Sequence, residues 1–484
     1  MRVSIYAFYD ITGRNIFEMN NVEFYRDFVI DLENFLKGPY NVLFLLGPRK
    51  CGKTVALHQI HKRFPSSKLY DFKAGSTSTA IVEIKDAILS QKRDIFLLDE
   101  ITYLDGADRE LAELSNAFDF CLQSDVKIII TGSQSVALRT WGHRAFSATA
   151  QYLQVPFLKY SEWLRYKNLK SSENAFMDFV MHSWDFYKLG SLKEYLQSCL
   201  DETIISNSKS LNVIFDNDCD SLTPELLIAV MYTVMYTLHN HFSYPNFRKS
   251  TRLEDDLHHW FTEVEMDEKA YANFTSHYSL LKSISFDVFR RAVLFLLKSD
   301  LITITYFSRG IDDQIDILGE LTTRNPSIKN LDEFFVYFNI CIKYPMFYLA
   351  VLKELIRPQR TDVGFKINGT ILGSIVKCYV RGLLGKQSYE YHDLNDSEID
   401  YVDYSTSTAV EFTISNKRIN KTHFDKLSGD WLCVLLSKNR TGKKSGIYEI
   451  PYYVFVEKLE QNMDLRDVVL SFKIINSTTN LTSF

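Results

Sequence analysis

Asn41 to Thr54 reads NVLFLLGPRKCGKT, and the fold of the chain is read outward from it. Val42 to Leu46 is an unbroken apolar run, the pattern of a strand buried on both faces. Gly47 and Gly52 bracket a loop that must curl tightly and let backbone N–H groups approach an anion. Lys53 and Thr54 complete the spacing G-x-x-x-x-G-K-[ST], the phosphate-binding loop. Pro48, Arg49, Lys50 and Cys51 fill the loop and Val55 follows it, so Gly47 to Val55 is the expected nucleotide-binding stretch. Lys53 is placed to reach β- and γ-phosphates, and the Thr54 hydroxyl to hold Mg²⁺. A helix over Lys53 to Arg63 aims its positive N-terminal end at the same phosphates. The bland alternative is a glycine turn that opens a helix.

A chain of 484 residues has room for two to four domains and a sizeable core. Its 28 Tyr and 35 Phe argue against disorder. A formal net charge of −5 gives no global attraction to nucleic acid or to an anionic membrane, so any such contact needs a local patch. The seven cysteines are scattered without a C-x-x-C pair, which excludes the usual zinc and redox motifs and fits free thiols in a reducing compartment. MRVSIYAFYD lacks the apolar centre of a signal peptide, and Leu226 to Leu238 is too short to span a bilayer. A soluble cytoplasmic protein without a membrane partner is the expectation.

Beyond the loop, strands and helices alternate. Lys68 to Phe72 reads as a strand and Thr79 to Leu89 as a helix. The run from Asp94 to Asp99 and Glu100 is an apolar strand ending in two acids. An Asp at such a tip suits the water shell of Mg²⁺, and a Glu beside it suits deprotonation of an attacking water. A solvated acidic turn is the other reading. Asp125 to Gly132 is a further buried strand, and Ser133 at its tip is placed to sense a γ-phosphate or to form a plain turn. This alternation predicts an α/β fold, a parallel sheet with helices on both faces and phosphates at the carboxyl ends of the strands.

GPRKCGKT, LLDEITYLDG, IIITGSQS, GHR and VPFLKYSEWLRY occur in that order, and together they resemble the AAA-type ATPases of archaea and bacteria that carry a carboxy-terminal nuclease-like domain. The resemblance implies ATP and Mg²⁺ as cofactors and roles for Arg49, Lys53, Thr54, Asp99, Glu100 and Ser133, with Asp99 and Thr54 at the metal. Glu162 falls in a structural turn. The family's Gly-Arg appears as Gly142-His143-Arg144, which makes Arg144 the candidate arginine for the γ-phosphate, in cis or across a subunit interface of a homo-oligomer. Arg139 is its rival, and a plain surface arginine remains open. The implied division is 1–164 for the ATPase core, 165–358 for a helical and winged-helix region, and 359–484 for a nuclease-like domain.

In the middle region, Ser285 to Ser299 is an amphipathic helix, and Leu301 to Phe307 alternates like a strand. Helix and strand suggest a winged-helix unit, which the family also has here, with Arg290, Arg291 and Lys298 toward DNA or on a solvated face. Asp312, Asp313 and Asp316 have the look of a metal cluster, but an acidic loop is the better reading. Further on, Gly373 to Leu384 is helical in pattern, and Ser397 to Asp403 and Ala409 to Thr413 form a hairpin. This resembles the core of a PD-(D/E)xK, restriction-endonuclease-like fold, with Trp431 to Ser437 and Ile447 to Val456 as its last two strands. Asp400 and Glu411 stand at metal-binding positions, but Thr413 replaces the lysine and Lys377 a helix acid, so a module that does not cut is expected. Lys417, Arg418, Lys421, Lys438, Arg440, Lys443 and Lys444 supply a basic surface for DNA or merely a solvated hairpin. A DNA-associated ATPase, a nucleotide-switched defence protein with a protein partner and an ATP-regulated nuclease are the functional expectations.

Overall fold

In the computed structural model the strand expected at Val42 to Leu46 spans those residues, and every one of its side chains is buried. The structure describes residues 7–9, 15–18, 24–74, 77–90, 94–103, 125–133, 135–146, 150–205, 221–239, 268–308, 338–356, 369–384, 389–392, 398–413, 430–461 and 464–479, with a few isolated residues in the gaps. These fall into two units, 1–158 with 198–220 and 159–197 with 221–484.

The first unit is built on a five-stranded sheet whose pairs all run parallel. Its order is Lys68–Asp71, Ile95–Asp99, Lys127–Thr131, Val42–Leu46 and Ala150–Gln154. The helices Lys53–Arg63, Thr77–Leu89 and Ser135–Phe146 connect the strands, as parallel pairing requires. Because the strands run the same way, the turns after Leu46, Asp99 and Thr131 open on one edge of the sheet. Phe44 anchors the packing behind that edge. It stacks on Tyr152 with ring centroids 5.3 Å apart and meets Trp141 edge-on at 5.6 Å. Gly142 permits this approach, since a Cβ there would lie 2.9 Å from the Phe44 ring and 2.7 Å from the Tyr152 hydroxyl.

The second unit holds an eight-stranded mixed sheet in the order Gly442–Lys444, Ile447–Pro451, Leu432–Ser437, Thr408–Phe412, Glu398–Asp403, Tyr389–His392, Ile302–Ser308 and Phe338–Ile342. The hairpin at Glu398–Asp403 and Thr408–Phe412 is antiparallel as expected. The strand expected as a wing, Ile302–Ser308, pairs parallel to Tyr389–His392 and antiparallel to Phe338–Ile342. Ahead of it, the helix Phe286–Lys298 starts at Ser285, whose side chain accepts a hydrogen bond from the Val288 N–H.

One expected strand is corrected. Ile447 to Val456 is a strand only to Pro451, and Tyr452–Glu460 is a helix. Pro451 has no N–H to continue the ladder, and its fixed φ suits the residue before a helix. Beyond it, the buried Tyr452, Phe455, Val456 and Leu459 follow the spacing of one helix face. This helix ends in the buried Glu460. Its carboxylate accepts hydrogen bonds from the N–H groups of Tyr160 at 2.8 Å and Ser161 at 2.6 Å, and from the Tyr379 hydroxyl. Glu460 thus caps the helix Tyr160–Lys167 together with Glu162, which accepts from the Lys159 N–H at 2.9 Å. Burial pushes the Glu460 carboxyl up to about 7, against the pull of those donors.

Candidate nucleotide site

The loop Gly47 to Gly52 leaves the sheet between the strand Val42–Leu46 and the helix Lys53–Arg63. Gly47 has φ of 153°, and a Cβ on it would lie 2.2 Å from the Val155 carbonyl oxygen. Gly52, at φ 106°, occupies the left-handed region that opens the helix, with space around it, so there the backbone rather than crowding demands glycine. Lys53 is buried and folds back along the loop. Its Nζ donates to the carbonyls of Gly47 and Pro48, each at 2.8 Å. Arg49 turns aside and donates to the Ser198 carbonyl.

Two strands deliver the acids. Asp99 ends Ile95–Asp99 and is 4% exposed. Burial foremost, then the neighbouring Glu100 and Asp71, push its carboxyl up to about 7, while the Thr54 hydroxyl hydrogen bond and the Lys53 charge oppose them. The folded pKa is raised above the ordinary value, so this group's favourable contribution is complete below pH 3.8 and gone once pH passes about 7. An ionised Asp99 therefore calls for a cation. Glu100 has φ of 53°, unusual for a residue with a side chain and of the kind that marks functional turns. Its Oε2 accepts both the Ser133 N–H at 3.0 Å and the Ser133 hydroxyl at 2.7 Å. The structure thus brings Lys53, Thr54, Asp99, Glu100 and Ser133 to one edge of the sheet.

The same edge contains residues that carry no sequence signal of their own. Ser135 Oγ accepts the Gly47 N–H at 2.7 Å and donates to the Gly47 carbonyl at 2.8 Å, fixing the first turn of the loop. The sequence offered only a second serine in GSQS as a clue. Asp71 pairs in register with Asp99 on the neighbouring strand, which is visible only once strand order is known. Arg144 and Arg139 lie on the helix Ser135–Phe146, where Arg139 is exposed; the Arg144 side chain is outside the described residues.

The donor set suits Mg²⁺. Among the described residues no group of three or more His, Cys, Asp or Glu is placed to hold a metal by itself. Mg²⁺ instead takes one or two protein oxygens and completes its shell with water and phosphate, and the buried Asp99 carboxyl beside the Thr54 hydroxyl offers those oxygens.

In the second unit the expected carboxylate pair is closed by a cation. Lys377 Nζ forms an ion pair with Asp400 Oδ1, and both side chains are buried. The other oxygen, Oδ2, accepts the Phe412 N–H at 2.8 Å, and the Asp400 N–H reaches Glu411 Oε2 at 3.4 Å. Arg381, fully buried, donates to the Asp400 carbonyl at 2.8 Å. Thr413 uses its N–H on the Leu436 carbonyl at 3.0 Å. The basic residues are partly engaged elsewhere. Arg290 and Arg291 both bond Asp287, Lys438 pairs with Glu173 at 2.8 Å, and Arg440 approaches Glu449 at 3.6 Å. Lys443 lies over the Tyr448 ring at 4.8 Å, and Lys444 is exposed. Asp312, Asp313, Asp316, Lys417, Arg418 and Lys421 lie outside the described residues.

A parallel sheet with a glycine loop, a buried Asp and an adjacent Glu at its carboxyl edge defines a P-loop nucleotide-binding core. Residues 39–164 match the family model described as an AAA domain, about a quarter of the chain. No curated protein matches the sequence. Among solved structures, a Walker-type ATPase of Pyrococcus abyssi is similar at 14% identity, covering 69% of this chain and 96% of that one, with a TM-score of 0.32. The ORC2 protein of Aeropyrum pernix is similar at 11% identity over 69% and 95%, with a TM-score of 0.31. AMPPCP-bound DnaA from Aquifex aeolicus is similar at 16% identity over 57% and 95%, with a TM-score of 0.26. At such scores these likenesses assign no residue and no partner. No helix among the described residues is long and apolar enough to cross a membrane.

Proposed function

We propose that residues 39–164 bind ATP with Mg²⁺ and hydrolyse it, and that the chain uses this cycle to change conformation within a DNA-associated cytosolic machine. The observation that carries the reading is Glu100 held by Ser133 beside buried Asp99, whose partner is the Thr54 hydroxyl at the start of the loop's own helix. Lys53 and backbone N–H groups of the loop hold the phosphates, though Pro48 has none and Gly47 gives its own to Ser135; Thr54 and Asp99 hold the metal, and Glu100 takes the proton of the attacking water. Ser133 keeps Glu100 in place. When bound, Mg²⁺ supplies positive charge to the β- and γ-phosphate oxygens. Lys53→Ala is expected to weaken ATP binding by about 10- to 100-fold or more, as loss of a charge-assisted contact does. Titration with a fluorescent ATP analogue reads this, and an unchanged Kd rejects the assignment.

The finer division into 1–164, 165–358 and 359–484, with a winged-helix middle and a nuclease-like end, belongs to the same proposal. So does an arginine, Arg144 or its rival Arg139, supplied to the γ-phosphate across the interface of a homo-oligomer. Hydrolysis per subunit is then expected to climb with protein concentration, and Arg144→Ala to flatten the climb. A monomer with a concentration-independent rate contradicts it.

A second reading makes the chain a nucleotide-switched protein, acting through a protein partner in defence against phage. It is favoured by the ion pairs of Arg290, Arg291, Lys438 and Arg440, which spend within the unit the charges a DNA backbone needs. Mobility shift with and without ATP separates the two. The first predicts a salt-sensitive shift that neutralising Lys443 and Lys444 weakens; the second predicts none. In either reading Asp400 and Glu411 belong to a module that does not cut.

A further inference from the structure

Arg26 precedes the segment that matches the AAA domain and carries no motif, yet it is buried against the phosphate-binding loop. It sits at the entrance of the helix Asp27–Lys37, with its guanidinium 5.2 Å from the centre of the Phe28 ring. Nη1 donates to the Cys51 carbonyl at 3.0 Å, and Nη2 to the Pro156 carbonyl at 3.0 Å. Nη1 also lies 4.0 Å from where a Cβ on Gly52 would stand.

The consequence follows from peptide geometry. In a planar trans peptide the C=O and the next N–H point in opposite directions. Holding the Cys51 carbonyl outward therefore holds the Gly52 N–H inward, toward the concavity of the loop. A charged donor on the carbonyl also polarises the peptide and strengthens its N–H as a donor. The second arm of the fork ties this peptide to Pro156. One residue earlier, Val155 presses its carbonyl on Gly47 at the loop's other end. The exit of the strand Ala150–Gln154 thus frames the loop at both ends, and Arg26 is the strut at the Gly52 end.

We propose that Arg26 is a positioning residue of the nucleotide site, aiming the Cys51–Gly52 peptide at the phosphates. The proposal rests on the reading of residues 39–164 as an ATP-binding segment. Its test uses the full chain and compares wild type, Arg26→Ala, Arg26→Lys and Lys53→Ala in fluorescent ATP-analogue titration, steady-state hydrolysis and thermal unfolding. Arg26→Ala is expected to raise Kd and KM for ATP about tenfold while kcat stays within about threefold, because the catalytic groups are untouched. Arg26→Lys keeps an apolar stem and the charge but cannot fork to two carbonyls, so it folds and recovers only part of the affinity. A clamp that only supports the fold would instead lower Tm and the active fraction, reducing kcat at unchanged KM, and that result overturns the proposal. Wild-type Kd in Arg26→Lys also overturns it, even where Arg26→Ala fails to fold. If Lys53→Ala binds ATP normally, the nucleotide reading falls first. If Lys53→Ala loses binding and Arg26→Ala does not, only the role of Arg26 falls.

Discussion

Glu100→Gln is expected to bind ATP as wild type does and to turn it over roughly 10²- to 10⁴-fold more slowly, the usual worth of a positioned proton acceptor. The variant isolates one property. A glutamine oxygen still accepts from the Ser133 N–H and hydroxyl, now at 3.0 and 2.7 Å, so the turn after the strand keeps its shape. The positive φ at this residue is unaffected, since both side chains branch beyond Cβ. Only basicity is lost, and basicity matters after ATP is bound, when the attacking water gives up its proton. Phosphate release under saturating ATP, beside a binding titration, measures both halves. Equal turnover by the variant and wild type would sink the role assigned to Glu100.

Lys377→Met is expected to destabilise the second unit by about 3–5 kcal/mol, the loss typical when one partner of a buried ion pair is removed. Asp400 would keep the Phe412 N–H at 2.8 Å but lose the ammonium from its Oδ1, in a site where its side chain is 9% exposed. Pairing Lys377→Met with Asp400→Asn should recover much of the loss, because the carboxylate charge is then removed together with its ammonium. Hydrogen exchange of the Thr408–Phe412 amides reads the opening free energy of this sheet directly. Near-equal protection in the single variant and wild type would show that the pair contributes nothing. The same geometry underlies the expectation that plasmid DNA stays intact with Mg²⁺ or Mn²⁺. An ammonium already sits on Asp400 Oδ1, and Thr413 offers no charge to keep a hydroxide in place. Metal-dependent cutting that vanishes in an Asp400→Ala, Glu411→Ala double variant is the opposite outcome.

Local pattern made part of this legible. The strand Val42–Leu46 and the helix Lys53–Arg63 stand at their expected bounds because apolar runs and glycine spacing are short-range signals. Asp99, Glu100 and Ser133 were readable for a related reason, since strand tips in a parallel sheet share an edge whatever the strand order. Ser135 and Arg26 were not. Their partners lie 88, 25 and 130 residues away, and no local pattern records a contact of that reach. Lys377 was legible as a misplaced charge, but its pairing with Asp400 needed the helix laid on the sheet. At Ile447 to Val456 one apolar stretch served two elements in turn, and Pro451 was the overlooked boundary.

The cap on the helix Tyr160–Lys167 also bears on the order in which the chain is made. Tyr160 and Ser161 leave the ribosome with their N–H groups facing a carboxylate that has not been synthesised, 300 and 299 residues ahead. At ordinary translation speeds of about 5–20 residues per second, Glu460 arrives roughly 15 to 60 seconds later. Until then Glu162 can still bond the Lys159 N–H, but Tyr160 and Ser161 must find water or another donor's partner instead. The parallel sheet before this helix needs nothing from so far downstream, because all its strands lie between Val42 and Gln154. Nascent chains should therefore acquire the nucleotide-binding sheet early and seal the helix that follows it last, leaving a protease-sensitive joint near residue 160 for much of synthesis.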